Sequence, residues 1–142
     1  MPNWTFNKVH VDDLSVIKEK VFNDEGELDF NLIIPEPTKK EDCDPKYYVN
    51  ENSHVMLDNE RPWFNWYDWH CDNWGTKWNC DFGTIDGNSM TFYTAWSDAN
   101  PIIVKLSEMF PKQEIKYEFA YEDDGYEVIY VAKYKNGKRI KR

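Results

Sequence analysis

Five of the seven tryptophans lie in one stretch, Arg61-Pro-Trp-Phe-Asn-Trp-Tyr-Asp-Trp-His-Cys-Asp-Asn-Trp-Gly-Thr-Lys-Trp78. Pro62 suits the first turn of a helix, and Gly75 suits the left-handed residue just beyond its end. Helical spacing places a set of mostly aromatic side chains on one face: Trp63, Trp66, Tyr67, His70 and Trp74. The opposite face holds Asn65, Asp68 and Asp72, and Trp69 falls on its polar flank. We therefore predict a helix that anchors the core through its aromatic face.

The size and composition of the chain predict one domain that spans residues 1–142. The chain is too short for two ordinary domains. Aromatic residues make up 17% of it, while Leu, Ile and Val are sparse. Much of the buried area must therefore come from Trp, Tyr and Phe. Three cysteines without a recognisable spacing indicate reduced thiols, so no disulfide is expected.

The charge is distributed unevenly along the chain. The net charge is −9, but six of the 17 basic residues lie at or beyond Lys133, so the preceding residues carry −15. A body this acidic repels a phosphate backbone, and we predict that the folded part does not bind nucleic acid directly. The charge instead favours a protein partner with a basic surface.

Patterns before the tryptophan-rich stretch predict a strand, a helix and a long loop. Alternating residues predict the strand over 3–11, and Asp12-Asp13 then caps the helix. Its buried side consists of Leu14, Ile17 and Val21. Residues 30–34 fit either a short strand or an apolar tether. Residues 35–58 show no period, so we predict an insertion loop there.

Patterns after the tryptophan-rich stretch predict two hairpins separated by a helix. The strands cover 77–84, 89–96, 113–121 and 126–134, and the helix covers 100–110. Trp78 and Trp96 fall on the apolar faces of their strands, so both are expected in the core. Residues 135–142 are predicted to form a flexible basic tail.

The resulting order of elements is β-α-(loop-α)-β-β-α-β-β. Each helix must bury one face, and a single antiparallel sheet can accept all of them. We therefore predict an α+β fold with a ferredoxin-like split βαβ sheet and helices on one face. The additions are an inserted Trp-rich helix and an extra C-terminal strand.

Three motifs of the chain resemble a known family. They are the opening Met1-Pro-Asn-Trp4, the block from Trp66 to Trp78 that ends Asn-Trp-Gly-Thr-Lys-Trp, and Tyr93-Thr-Ala-Trp-Ser97 with the later Phe110-Pro111. Together they resemble the YubB-type ferredoxin-like family of phage and plasmid proteins. The resemblance covers most of the chain and implies an origin on a mobile element, but it implies no activity. The insertion loop and the basic tail show no family pattern.

The sequence contains no pattern typical of a membrane or secreted protein. No apolar run approaches the roughly 20 residues that a membrane-spanning helix needs. The first residues do not resemble a signal peptide with a basic head and an apolar middle. We therefore expect a cytoplasmic location in the host cell and no membrane partner.

Residues that could bind a metal or catalyse a reaction do not form a known motif. His70, Cys71 and Cys80, with Cys43, are possible zinc ligands, but their spacing matches no zinc finger, and His70 and Cys80 fall on apolar faces. We therefore predict no metal and no cofactor. His70 and Cys71 are neighbours on a helix and point apart, so they cannot share a proton as a catalytic pair. We assign no catalytic residue and expect that the protein is not an enzyme.

The residues predicted to contact a partner are acidic or aromatic and fall outside the apolar faces. They are Asp68, Trp69, Asp72, Tyr93, Glu114, Glu118, Glu122, Asp123 and Asp124. An exposed aromatic side chain among carboxylates suits a protein interface. Asp68 and Asp72 could also hold a divalent cation, but a solvated helix face is the simpler interpretation. Stacking of bases on the sheet is disfavoured by Asp81, Glu114 and Glu118 on its open face.

These features favour a phage-borne acidic binding protein. It would occupy the basic site of a host protein that handles nucleic acid or acts in defence, as an anti-defence inhibitor or DNA mimic does. A second hypothesis is a small-molecule site, for example for a nucleotide, between the insertion loop and the Trp-rich helix. The ligand would stack on Trp69 or Tyr93. An enzyme of unknown type is the third.

Overall fold

The computed structural model of the protein describes residues 3–140, and these form a six-stranded antiparallel sheet with three α-helices. The elements are β1 (Trp4–His10), α1 (Leu14–Val21), α2 (Trp66–Asn73), β2 (Asp81–Asp86), β3 (Ser89–Ala95), α3 (Asn100–Met109), β4 (Ile115–Tyr121), β5 (Tyr130–Lys135) and β6 (Lys138–Arg139). The strands follow the order β2-β3-β1-β4-β5-β6. This order confirms the predicted ferredoxin-like sheet. None of the helices in the described part is long and apolar enough to cross a membrane.

The hydrophobic core lies between the helices and one face of the sheet. The sheet contributes the inward-facing side chains Val9, Met90, Phe92, Ile115, Tyr117 and Tyr134. The helices α1 and α3 contribute Leu14, Ile17, Val21, Ile102, Ile103 and Leu106. All of them belong to one cluster, because alternate positions of each strand and one stripe of each helix point to the same layer. The predicted buried side of α1 is confirmed.

Helix α2 is shorter than predicted and turns a different face inward. It begins at Trp66, after Asn65, whose side-chain oxygen accepts a hydrogen bond from the backbone N–H of Asp68 at 3.2 Å. Gly75 adopts φ 81°, which confirms the predicted left-handed residue beyond the helix. Trp69, predicted on the polar flank, is only 7% exposed, whereas Tyr67, predicted on the buried face, is 43% exposed.

A chain of aromatic contacts attaches α2 to the sheet. Phe92 of β3 contacts Phe30 with ring centroids 5.9 Å apart, and Phe30 contacts Trp74 at 5.7 Å. Trp74 contacts Trp69 at 5.4 Å, and Trp69 contacts Phe64 at 6.1 Å. Most of these pairs are edge-to-face, the arrangement that the ring quadrupole favours. The tryptophan-rich stretch therefore anchors the core, as predicted, through the expected Trp74 and also through Trp69.

The insertion loop, residues 35–58, folds against α2 and explains the burial of Trp69. It contains two short 3-10 turns, Lys40–Asp42 and Pro45–Tyr47. The Tyr47 hydroxyl donates to Asp72 Oδ2 at 2.8 Å, and the backbone oxygen of Tyr47 accepts from Asn65 N–H at 2.8 Å. The loop thus covers the side of α2 that the sequence pattern assigned to solvent. The stretch 30–34 forms a 3-10 turn, Phe30–Leu32, and no strand.

The two tryptophans predicted in the core of the hairpin β2–β3 are exposed instead. Strand β2 begins only at Asp81, so Trp78 precedes it and is 38% exposed. Trp96 follows the last residue of β3, adopts φ 71°, and is 54% exposed. A left-handed residue turns the chain out of the pleat, so strand alternation no longer decides which way Trp96 points.

Residues 135–140 of the predicted basic tail are ordered. Asn136 and Gly137 have φ values of 52° and 77°, which form a tight turn into β6. Strand β6 pairs with β5, and Gly137 N–H donates to Ser107 Oγ on α3 at 2.8 Å. Part of the predicted tail is therefore a hairpin tied to a helix. Residues 141 and 142 lie outside the described residues.

Candidate functional site: the open face of the sheet

The face of the sheet turned away from the helices is uncovered, and we call it the open face. Strand β1 alternates regularly, with Thr5, Asn7 and Val9 buried in the core and the residues between them on the open face. Phe6 lies in the centre of that face, opposite Tyr93 on β3 and Ala120 on β4. The helices therefore leave this face of the sheet without a covering layer.

One half of the open face is aromatic. We call this the aromatic half and define it by Trp4, Phe6, Trp78, Tyr93 and Tyr126. The rings of Phe6 and Tyr93 meet edge to face with centroids 5.5 Å apart, and those of Trp4 and Trp78 are 6.3 Å apart. Trp78, Tyr93 and Tyr126 are 38%, 38% and 41% exposed. Large aromatic side chains at such exposure are typical of the centre of protein interfaces.

A groove of about 370 Å³ runs along the aromatic half. Phe6 and Ala120 contribute to it from the central strands, and Tyr126 and Ile129 contribute from the segment before β5. Ile129 is 62% exposed and its neighbour Val131 is 45% exposed. The groove is therefore mainly apolar and accessible, with Lys8 and Glu118 as its charged lining residues, and it suits an apolar anchor side chain.

Carboxylates border the aromatic half. A 3-10 turn, Glu122–Asp124, follows β4, and we call it the acidic turn. Glu122 Oε2 accepts from the backbone N–H of Trp4 at 2.8 Å, which holds the turn against the start of β1. Asp81 lies opposite Tyr93 on the neighbouring strand. Among the described residues, none of the ion pairs involves a carboxylate of the acidic turn.

The proximity of these groups is reflected in the pKa of Tyr126. Its partial burial, the charge of Glu122 and the nearby Tyr93 together raise the pKa of the Tyr126 hydroxyl above its ordinary value. The hydroxyl also donates to the backbone oxygen of Trp4 at 3.2 Å. Tyr126 therefore links the acidic turn to the aromatic half as a neutral phenol.

The other half of the open face is basic, and we define this basic half by Lys8, His10, Lys116 and Lys133. Two glutamates lie among these residues. Glu118 accepts from His10 Nε2 at 2.6 Å and lies 3.8 Å from Lys116 Nζ, while Glu114 lies 4.0 Å from Lys133 Nζ. Burial would raise the pKa of Glu118, but the His10 hydrogen bond and the charges of Lys116 and Lys8 outweigh it and lower the pKa. Glu114 and Glu118, predicted as acidic contacts, are each beside a basic group, so this half is not an acidic surface.

Of the partner residues predicted on α2, Asp68 and Asp72 are exposed, but Trp69 is not. Trp69 is buried under the insertion loop. Asp72 accepts from Tyr47, and Asp68 Oδ2 accepts from Asn65 Nδ2 at 2.9 Å. Asp72 therefore helps to hold the insertion loop against α2, and Asp68 contacts the residue that caps the helix. Of the predicted contacts, the open face brings together Tyr93 and Glu118, with Glu122, Asp123 and Asp124 at its border.

Sequence reasoning missed Phe6, Tyr126 and Ile129 as parts of this surface. The signal for Phe6 was available, since strand alternation separates it from the buried Asn7 and Val9. The apolar run 128–131 was a second signal, because four consecutive apolar residues cannot all face one core. Strand alternation separates the side chains into two sets, but it does not show which set the helices cover.

The side chains considered as zinc ligands are separated and have other partners. His70 Nδ1 lies 2.6 Å from the carbonyl oxygen of Lys77, and His70 Nε2 lies 2.7 Å from Glu36. The three cysteines are free, and Cys43 is buried whereas Cys71 is exposed. Burial, followed by the charge of Asp29, raises the pKa of Cys80 to about 12. Within residues 3–140, no three His, Cys, Asp or Glu residues are placed to hold a metal ion.

The second half of the chain matches a domain family. Residues 73–142 match the family model described as the ferredoxin-like domain in Api92-like protein. The matched segment contains β2 to β6 and α3, and β1 and α1 precede it. No curated protein and no solved structure matches the chain. The comparison thus agrees with the ferredoxin-like topology of the sheet and assigns no activity.

Proposed function

We propose that the chain is a protein-binding domain and that its partner docks on the aromatic half of the open face. The observation that carries the proposal is the set of exposed aromatic rings around Phe6 and Tyr93, next to the carboxylates of the acidic turn, which are in none of the ion pairs among the described residues. Burial of these rings would supply most of the binding free energy. The partner would carry Lys or Arg residues that meet the acidic turn.

The electrostatic part of the binding follows from the charge of the whole chain. A net charge of −9 attracts a basic protein over a distance and accelerates its association. Added salt screens this attraction, because the Debye length falls from about 10 Å at 0.1 M to about 3 Å at 1 M. We therefore expect the association rate to fall with salt while the contact with the aromatic rings persists.

The finer parts of the proposal come from the sequence. They are a YubB-type origin on a phage or plasmid, a location in the host cytoplasm, and a host partner that handles nucleic acid or acts in defence. The domain would inhibit this partner by covering its basic site. A DNA-mimic mechanism would rely on Glu122, Asp123 and Asp124, since Glu114 and Glu118 lie beside lysines.

A photo-crosslinking experiment tests the proposal. A photoreactive phenylalanine analogue replaces Tyr93 in one variant and Tyr67 in a second, because these tyrosines are similarly exposed, at 38% and 43%, but Tyr93 lies on the open face and Tyr67 lies on α2. Each variant is irradiated in the lysate of a host strain, and the crosslinked proteins are identified by mass spectrometry.

We expect one basic protein to crosslink through position 93 and not through position 67. The purified partner should then bind the wild-type chain, and Tyr93→Ala or Phe6→Ala should weaken this binding at least tenfold, as hot-spot truncations do. Equal crosslinking from both positions would show that the aromatic half is not the docking site, and an acidic partner would contradict the role proposed for the acidic turn.

A second candidate function is the binding of a small polar molecule, and a cleft of about 330 Å³ between the insertion loop and α2 favours it. Lys46, Asn50, His54 and Tyr67 are among the residues that line the cleft. Trp69 is buried, so Tyr67 is the ring on which a nucleotide could stack. Thermal-shift screening with nucleotides tests this candidate, since a ligand at 100 times its dissociation constant adds about 2.7 kcal/mol of stability.

A further inference from the structure

We infer that the open face also binds a second copy of this chain, so that two copies dock face to face and each covers the aromatic half of the other. This interaction goes beyond the proposed function, because it describes the protein in the absence of a partner. The occupant of the face is a second copy related by a two-fold axis. The axis lies in the plane of the interface and runs across the strands.

The first observation is that the open face exposes apolar side chains as one continuous patch. Tyr93, Tyr126, Ile129 and Val131 are between 38% and 62% exposed. Tyr126 and Ile129 line the groove beside Phe6, the ring of Tyr93 contacts that of Phe6, and Val131 lies opposite Glu118, which also lines the groove. A continuous exposed apolar patch is unfavourable in a soluble monomer and marks an interaction surface. The patch therefore needs a covering molecule even before a partner arrives.

The second observation is that charge changes along the strands. On β1, Trp4 and Phe6 come first on the open face, and Lys8 and His10 follow. On the antiparallel β4 the order is reversed, so that Lys116 lies beside His10 and the acidic turn lies beside Trp4. One end of the face is therefore aromatic and acidic, and the other end is basic.

A two-fold axis across the strands places unlike ends together. Such an axis reverses the strand direction of the second copy, so the aromatic half and acidic turn of each copy meet the basic half of the other. Each contact then occurs twice, as in any isologous interface. Lys8 and Lys116 of one copy approach the carboxylates of the acidic turn of its neighbour.

The alternative face-to-face arrangement is unfavourable. An axis parallel to the strands would stack the two aromatic halves, but it would also bring the two acidic turns together, and likewise the two sets of lysines. Like charges at such distances repel, and this repulsion selects against the arrangement. Charge complementarity therefore favours one of the two ways in which two open faces can meet.

A charge-exchange experiment tests the inference. The basic variant set is Lys8→Glu with Lys133→Glu, and the acidic variant set is Asp81→Lys with Asp123→Lys. A matched control is Lys18→Glu with Lys105→Glu, which changes the net charge as much as the basic set does but alters exposed positions on α1 and α3. Circular dichroism confirms the folding of each variant, and sedimentation equilibrium gives its mass at low and high salt.

We expect the wild-type chain and the control to reach the mass of two copies as concentration rises. Each exchanged variant alone should remain a single copy, because its two ends then carry like charge. An equimolar mixture of the two exchanged variants should recover the two-copy mass, since both contacts regain opposite charges. This recovery also shows that neither variant failed merely because it did not fold.

Three outcomes would overturn the inference. They are a wild-type chain of single-copy mass up to its solubility limit, a two-copy mass that both exchanged variants retain, and a mixture that recovers no association. None of them bears on the proposed function, which the crosslink from Tyr93 tests separately. If that crosslink fails while the mixture recovers the two-copy mass, the open face serves self-association alone.

Discussion

The imidazole of His70 lies almost flat against the indole of Trp74, with ring centroids 4.1 Å apart and planes 17° from parallel. The indole N–H of Trp74 donates to the backbone oxygen of Ile34 at 2.9 Å, and His70 contacts Glu36. Both rings thus hold the start of the insertion loop against α2. The stack is where the tryptophan-rich stretch, the loop and the core meet.

Replacement of Trp74 by alanine should cost about 3–5 kcal/mol of unfolding free energy, the range for large aromatic side chains in cores. Trp74 is 1% exposed and contacts both Phe30 and Trp69. Urea unfolding gives the free energy, with an unchanged m value as a check of two-state behaviour. Trp96→Ala is the control, because Trp96 is 54% exposed and its loss should cost no more than about 0.5 kcal/mol. Equal losses would contradict the assignment of Trp74 to the core.

The ion pairs of Glu36 should make the attachment of the loop sensitive to acid. Burial alone would raise the pKa of Glu36, but the His70 hydrogen bond and the charges of His70 and Arg61 outweigh it and hold the pKa below its ordinary value of 4.5. A carboxyl group whose pKa is lowered in the folded state stabilises the protein fully at pH values above its ordinary pKa. This contribution to the unfolding free energy is lost as the pH falls through the folded-state pKa.

The comparison of wild type with Glu36→Gln isolates this contribution from that of other carboxyl groups. Unfolding free energies should differ most near neutral pH, and the difference should shrink as the pH falls below the ordinary pKa of Glu36. A difference that grows on acidification would show that the sign is wrong. Asp68→Asn serves as a control, because Asp68 is exposed and takes no part in the ion pairs of Glu36.

The cysteines should differ in their reaction with iodoacetamide. Cys80 has a pKa of about 12, so almost none of it is thiolate at mildly alkaline pH. Burial also raises the pKa of Cys71 and of Cys43, but Cys71 is exposed and Cys43 is not. We expect the native protein to be modified first at Cys71. Peptide mass spectrometry measures the order, and rapid modification of Cys80 before unfolding would contradict it.

Replacement of Tyr117 by phenylalanine should destabilise the domain by about 1–3 kcal/mol, the cost of buried polar groups left without a partner. Its hydroxyl donates to Asn7 Oδ1 and accepts from the backbone N–H of Ala99 at 3.0 Å. The deletion leaves both groups unpaired in the core. Tyr93→Phe is the control and should change the free energy by less than about 0.5 kcal/mol, because Tyr93 is exposed.

The substitution Gly75→Ala should destabilise the domain more than Gly26→Ala does. Both residues are left-handed, with φ of 81° and 77°, so the backbone strain of the substitution is similar. A Cβ atom at Gly75 would lie 2.7 Å from Cδ of Pro101, while one at Gly26 would meet nothing within 4 Å. Steric overlap should therefore add about 1–3 kcal/mol at Gly75. Equal melting temperatures of the two variants would show that α3 moves away without cost.

The sequence was sufficient to predict the sheet and both flanking helices. Strand alternation, the cap residue Asp13 and Pro101 in the first turn of α3 are local signals, and local chemistry decides where such elements begin. The burial of Trp69 could not be predicted from such local signals. Its burial depends on the insertion loop, which is held by Tyr47 and Val49, and a residue pattern within one helix contains no information about a loop that covers it.

The candidate site was predicted only in part for a related reason. Tyr93 and the acidic turn were identified because exposed aromatic and acidic residues are visible in a sequence. The neutralisation of Glu118 depends on His10 and Lys116, and His10 lies on another strand. Cross-strand partners follow from sheet register, which pairs residues far apart in the chain.

The position of β1 in the centre of the sheet determines when the domain can fold during synthesis. Val9 lies between Met90 and Tyr117, and both partners belong to the second half of the chain. A ribosome adds about 5–20 residues per second, so β1 emerges several seconds before a strand that can pair with it. In that interval Trp4, Phe6 and Leu14 have no surface to cover them. Newly made chains should therefore depend on holding chaperones until β4 has left the exit tunnel.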